Sequence, residues 1–136
     1  MNIKKMVLAL LAGFIVMFLL SGLWHMMIMG DLYNSSKPPG AYAEPKLQFI
    51  AFGYFVLALL MAYMYPKGYK GGKPVIEGLK FGILIGILWI LPQSLVYLGL
   101  MAGSGTVVIV DTIWHVVEEG IGGIVIGLVY GTQTSS

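Results

Sequence analysis

The segment Val107 to Gly131, VVIVDTIWHVVEEGIGGIVIGLVYG, limits the chain more than any other stretch. It is apolar enough to cross a bilayer, yet it carries Asp111, His115, Glu118 and Glu119. An ionisable side chain at the centre of a membrane helix costs roughly 2.5 to 3.5 kcal/mol on insertion scales, so four in one span need partners, water or a bound ligand. At about 100° per residue, Asp111, His115 and Glu118 fall within roughly 60° of one another, with Glu119 to the side of that stripe. A helix with such a face has to turn it toward other helices.

The rest of the chain supplies those helices. Of 136 residues, 58% are hydrophobic and 10% charged, against about 25% charged in soluble domains, which predicts an all-α integral membrane protein. Four apolar spans are expected near residues 5–30, 46–65, 76–101 and 107–131, each long enough for the roughly 20 residues that cross a bilayer core. Together they form one transmembrane domain over 1–136. The N-terminal span begins like a signal peptide, with Lys4 and Lys5 ahead of an apolar core. Its apolar run exceeds the usual 7 to 15 residues and no small-x-small cleavage site follows, so it is read as a retained first helix.

Charge sets the expected orientation. Lys4 and Lys5 precede the first span, and Lys67, Lys70, Lys73 and Lys80 lie in or beside the connection between the second and third, against Lys37 and Lys46 on the other side. The positive-inside rule then places both termini in the cytoplasm, and short connections make the bundle antiparallel. The segment NSSKPPGAYAE reads as an outer loop, with Pro45 in the first turn of the next helix. The basic PKGYKGGKP segment reads as a solvated topology signal. No basic stripe with interleaved aromatics exists, so nucleic acid is not an expected partner. The absence of cysteine removes disulfides and thiolate ligands.

Glycine spacing predicts how the last two helices pack. Gly78, Gly82 and Gly86 in the third, and Gly123, Gly127 and Gly131 in the fourth, form four-residue ladders of the kind that lets backbones approach closely. Both ladders lie in the inner half. With Pro92 expected to bend the third helix, the outer half is left as a polar cavity.

Counting about 1.5 Å per residue from the outer boundary puts His25, Tyr54, Gln93 and His115 at one level, roughly 9 to 14 Å deep. Asp111 falls above, Glu118 below, and Tyr97 beside Gln93. Tyr54, Gln93, Tyr97, Asp111 and Glu118 are thus candidates for a ligand or proton site. Leu23-Trp24-His25 and Ile113-Trp114-His115 share a local form, and two imidazoles at matched depth suit a metal or a bis-histidine haem. Each histidine could equally hydrogen-bond a neighbouring carboxylate or carbonyl. A di-iron carboxylate site is disfavoured, because it needs Glu-x-x-His on two helices and about four glutamates. Met29, one turn beyond His25, offers a soft sulfur for copper. Trp24 and Trp114 read as packing or interfacial anchors. Ser21 and Ser94 have no triad around them, and no phosphate-binding or nucleophile motif is present, so no ordinary enzyme mechanism is expected.

Trp24 with the later Leu32-Tyr33, Pro66 at the end of the second helix, Gly78 and Gly82 opening the third, and Asp111-x-x-Trp114 in the fourth give the chain a resemblance. It resembles the small four-helix bacterial inner-membrane proteins grouped as domain of unknown function 2177. The resemblance implies a multi-pass topology in the cell inner membrane and no particular activity. The chain departs from the family pattern at Ser21, where an acidic residue is usual, and at His115, where a glycine is usual. The Tyr-Asp and Thr-Asn pairs of the third helix are also missing. The expected function is binding of a small ligand, a proton, or a metal or haem in the outer-half cavity. The alternatives are an accessory subunit of a larger membrane complex and a small transporter acting as a homo-oligomer.

Overall fold

A computed structural model describes residues 2–38, 40–100 and 103–131. Its elements are α1 (Ile3–Gly22), continued by a π-helical segment (Leu23–Ile28), a short α2 (Gly30–Ser35), then α3 (Leu47–Gly68), α4 (Pro74–Leu100) and α5 (Gly105–Tyr130). Among the described residues there is no strand. Four helices are long and apolar enough to cross a membrane: Ile3–Ile28, Leu47–Gly68, Pro74–Leu100 and Gly105–Tyr130.

Local chemistry accounts for most of the boundaries. The Asn2 side chain accepts from the Lys5 N–H at 3.1 Å and Ser104 Oγ from the Val107 N–H at 3.4 Å, satisfying donors that a helix start leaves free. Pro74 opens α4, where its missing N–H costs nothing. Gly131 ends α5 at φ 65°, a left-handed conformation that favours glycine, and its N–H bonds the Gly127 carbonyl at 2.9 Å. Three expectations need correction. Pro66 does not close its helix, which runs to Gly68. Pro45 precedes Lys46, the residue before the first turn of α3, and so lies outside that turn. The segment expected to be loop from Asn34 is entered through a helical turn, α2, that carries Tyr33. The expected last residue of the third span, Met101, and residues 132–136 of the expected domain lie outside the described residues.

The order of packing puts α5 in the middle. It packs most extensively on α4, next on α1, and α1 in turn packs on α3. The buried core follows that order: Ala9 and Met17 of α1, Leu57, Ala58, Met61 and Tyr65 of α3, and Ile126 and Tyr130 of α5. The hydropathy of the four spans sharpens the point. The Gly105–Tyr130 span is the least apolar of the four and the most enclosed by protein, whereas Ile3–Ile28 is the most apolar. Against lipid a polar helix is the one that gains most from being enclosed by protein.

The interface of α4 with α5 is backbone against backbone. A side chain at Gly78 would strike the Gly123 carbonyl, one at Gly82 the Glu119 carbonyl, and one at Gly86 the His115 carbonyl. Positions rise along α4 as they fall along α5, in one unbroken register. The expected ladder on α5 is only partly the observed one. Gly123 and Gly127 both meet α4, Gly127 at the Pro74 carbonyl that opens it and beside the Tyr65 hydroxyl of α3, but Gly131 ends the helix with open space around it. On the other flank Gly122 receives Met17 and Gly13 receives Ile126, so α1 also sits close. At one end of the molecule, Lys5 Nζ donates to the Tyr130 carbonyl at 2.6 Å, and the Tyr130 hydroxyl donates to the Ala62 carbonyl at 2.6 Å.

Candidate functional site

With the glycine face of α5 committed to α4, its polar residues turn toward α1. His115 is 4% exposed, and Glu118 and Glu119 are fully buried. Asp111, one turn before His115, completes a column along α5. From the opposite side come His25, in the π-helical segment, and Tyr33, in α2. A π turn holds one residue more than an α turn and is often found at functional sites. Here the Met29 N–H bonds the carbonyl of Trp24 five residues back, at 2.8 Å.

Two tryptophans fix the approach of the two elements. The Trp24 and Trp114 rings stack with centroids 4.3 Å apart and planes 1° from parallel. Both belong to the repeated Trp-His pairs, and their contact is packing, as the sequence suggests. Beside them the His25 and His115 ring centroids lie 6.0 Å apart.

Asp111 is the hub of this cluster. Its Oδ1 lies 2.9 Å from His25 Nε2 and 3.9 Å from His115 Nε2, and it accepts from the Tyr33 hydroxyl at 2.7 Å. Trp24 Nε1 donates to the Tyr33 hydroxyl at 3.2 Å. Burial and the Asp111 carboxylate push the Tyr33 hydroxyl well above its ordinary range, so it remains a donor.

The far nitrogens of the two imidazoles are also engaged, and they decide the tautomers. His25 Nδ1 is 3.1 Å from the Ser21 carbonyl, which can only accept, so this nitrogen carries the proton. Ser21 Oγ, 3.4 Å from the same nitrogen, itself receives the Tyr54 hydroxyl at 2.8 Å. His115 Nδ1 is 3.0 and 3.3 Å from the two Glu119 oxygens and likewise donates. Both Nε2 atoms face Asp111; the 2.9 Å contact of His25 Nε2 with that carboxylate is made through a proton, whose place a bound cation would take.

Below this group Glu118 is fully buried, and neither of its oxygens has a hydrogen-bond partner. Tyr54 and Trp114 have donors in its neighbourhood, but Trp114 Nε1 is also without a partner. Two sets of ligand atoms gather within 4.8 Å of one another: His25, Asp111 and His115, and His115, Glu118 and Glu119. Among the described residues Asp111 and Glu119 form ion pairs with histidine alone, and Glu118 forms none.

Of the residues expected at the site, the structure therefore brings together His25, His115, Asp111 and Glu118, with Tyr54 one hydrogen bond removed. Gln93, Tyr97 and Met29 are not part of the cluster. In the register of α4 on α5, His115 lies level with Gly86, so Gln93 stands about two turns further along. Gln93 is exposed. Tyr97 is half exposed and lines a shallow cavity of about 320 Å³ with Ser36, Ser94 and Ser104. Counting depth from the ends of the spans failed here because α4 and α5 are offset along their length. Met29 is half-buried at the break between the π segment and α2.

Sequence reading missed two members. Glu119 is one turn from His115, the ordinary spacing for a hydrogen-bonded pair on a helix, and that spacing was the available signal. Tyr33 gave none, since its place depends on the π segment and the break at Met29. No family model, curated protein or solved structure matches the chain, so what it does rests on these side chains.

Proposed function

We propose that the chain is an integral membrane protein of the bacterial inner membrane, an antiparallel four-helix bundle with both termini cytoplasmic, that binds a divalent transition-metal ion between α1 and α5. The likeness to the domain of unknown function 2177 proteins belongs to this proposal for its topology alone. The lysines support the orientation: Lys5 is fastened to Tyr130, and Lys67, Lys70 and Lys73 follow at the end of α3 and in the connection to α4.

The observation that carries the metal reading is the pair of Nδ1 contacts, His25 to the Ser21 carbonyl and His115 to Glu119, with both Nε2 atoms turned to Asp111. A metal-binding histidine almost always donates its other ring N–H to a carbonyl or carboxylate, which fixes its orientation and raises its basicity. His25 does so to the Ser21 carbonyl and His115 to Glu119. Both Nε2 atoms then point at one carboxylate, itself held by Tyr33. Two atoms bound to one ion at roughly 2.1 Å lie at most about 4.2 Å apart. The 3.9 Å between His115 Nε2 and Asp111 Oδ1 is already in range, and the widest separation permitted in the set, 4.8 Å, would have to close by only about 0.6 Å. Charge points the same way. Asp111 and Glu119 pair with two histidines and Glu118 with no cation, with no lysine in these pairs, and an uncompensated buried anion is expensive.

The donor set also selects among the expected cofactors. A haem needs a slot between its two imidazoles, but that space holds the Asp111 carboxylate, and the Trp24 and Trp114 stack holds the helices together beside it. Copper(I) prefers sulfur, whereas the donors gathered on Asp111 are nitrogen and oxygen. Two imidazoles and a carboxylate, with a coordination position left open, suit zinc, iron or nickel.

Elemental analysis of the protein purified in detergent, before and after incubation with Zn²⁺, tests this reading. About one ion per chain is expected, with affinity falling at least tenfold in His25→Ala while the thermal transition stays close to that of the wild type. A chain that takes up no Zn²⁺, Co²⁺ or Ni²⁺ would falsify it, as would a His25→Ala variant that binds as tightly as the wild type.

A further inference from the structure

Glu118 has no task in the site just described. It is fully buried with both oxygens unpartnered, yet it belongs to a second set of ligand atoms, with His115 and Glu119, gathered within 4.8 Å of one another. Burying a carboxylate without a hydrogen bond is among the costlier things a fold can do. The neighbouring Glu119 is bonded to His115, so two carboxylates and one imidazole converge on the same place, with the imidazole the single group there to offset both charges.

We infer that the site has a second, inner cation position formed by Glu118, Glu119 and His115, and that His115 can serve the outer and the inner position only in turn. The inference rests on the metal-binding reading above and extends it along α5. A neutral imidazole has one lone pair and one N–H. With the proton on Nδ1, donated to Glu119, the Nε2 lone pair serves an ion held by His25 and Asp111. With the proton on Nε2, donated to Asp111 across the present 3.9 Å gap, the Nδ1 lone pair turns toward Glu119 and Glu118. No ligand atom has to cross the space between helices for this exchange, because both nitrogens already face their carboxylates.

The two positions differ in chemistry. The outer one offers two nitrogens and one carboxylate, the inner one a single nitrogen and two carboxylates, which is a harder and more anionic set. Asp111, His115, Glu118 and Glu119 span two turns of α5, so the positions are separated along the helix axis. An ion that moved between them would move along the axis of the span, toward the end where Lys5 meets Tyr130. The substrate class is therefore a divalent cation that tolerates both nitrogen and oxygen ligands, and the arrangement is a two-step holding site for it.

Copper(II) serves as the probe because its electron paramagnetic resonance spectrum counts coordinated imidazole nitrogens, and Zn²⁺ titration supplies the stoichiometry. All measurements use the full chain in detergent. Wild type should hold one ion with two coordinated nitrogens. His25→Ala should retain weaker binding with one nitrogen, and that residual binding should fall at least tenfold more in the double variant His25→Ala with Glu118→Gln. Residual binding that is unchanged by Glu118→Gln overturns the inner position while leaving the outer one standing. Two tightly bound ions per wild-type chain overturn the alternation. A His25→Ala variant indistinguishable from wild type overturns instead the outer position, and a wild-type chain that binds no ion overturns both.

Discussion

The two faces of α5 solve opposite problems. Toward α4 it presents backbone: Gly123, Gly120 and the carbonyls of His115 and Glu119 lie against Gly78, Gly82 and Gly86, with no side chain between. Toward α1 it presents nearly all of its polar chemistry, Asp111, His115 and Glu119 included. In lipid there is no hydrophobic gain from helix association, so close van der Waals packing of small residues has to hold helices together. The glycine face supplies that packing and thereby sets the rotation of α5 about its own axis. The comparison teaches that the polar site is positioned from behind. What aims His115 at His25 is the absence of side chains on the far side of the helix as much as any contact within the cluster.

Breaking the clasp is expected to have the largest effect. Gly82→Leu places a side chain against the Glu119 carbonyl and the Gly120 backbone, neither of which can step aside. The destabilisation should exceed the 1 to 3 kcal/mol of ordinary overpacking, seen as a lower thermal transition in detergent. Metal uptake should fall with it, although Gly82 touches no ligand atom. A Gly82→Leu variant that keeps both would mean that the two faces are independent. Tyr33→Phe sharpens the other side. It removes one hydrogen bond to Asp111 and nothing from the clasp, so metal affinity should drop about tenfold, as for other outer partners of metal ligands, with stability changed by only about 1 kcal/mol. Equal affinity in Tyr33→Phe and wild type would remove Tyr33 from the site. The smallest effect belongs to Gly53→Ala in α3. Space is open there, and the only expected change is a gain of about 0.5 to 1 kcal/mol from the stiffer backbone. A large loss on unfolding Gly53→Ala would show that glycine matters in this fold for reasons other than close approach.

Legibility in the sequence followed the same division. The four spans could be read because length and apolarity are summed over some twenty residues, so an error of two or three at each end does no harm. The polar face of α5 could be read because Asp111, His115 and Glu118 are costly wherever they point. The third helix could not contribute correctly. Counting from the ends of the spans puts Gln93 level with the histidines and Tyr97 beside it, whereas the register is set by Gly78, Gly82 and Gly86, which bring Gly86 to His115. Tyr33 was hidden for another reason. Its hydrogen bonds to Trp24 and Asp111 depend on backbone irregularity at Leu23–Ile28 and Met29, and apolar periodicity carries no trace of that.

That irregularity acts as a phase shifter in the first span. In a uniform α-helix Trp24 and His25 would point about 100° apart, and Tyr33 would lie on the opposite side from Trp24. With a π turn, followed by a break at Met29 where φ is −115° and ψ 17°, all three reach α5: one ring stacks on Trp114 and the other two meet Asp111. The chain thus assembles from one end of one helix a set of side chains that would ordinarily require two. The adjustment sits above Gly22, so the part of α1 that packs on α3 and on Ile126 keeps its own periodicity. Changes in length near Met26 and Met27, both exposed, would retune the site and leave the packed half of the helix as it is.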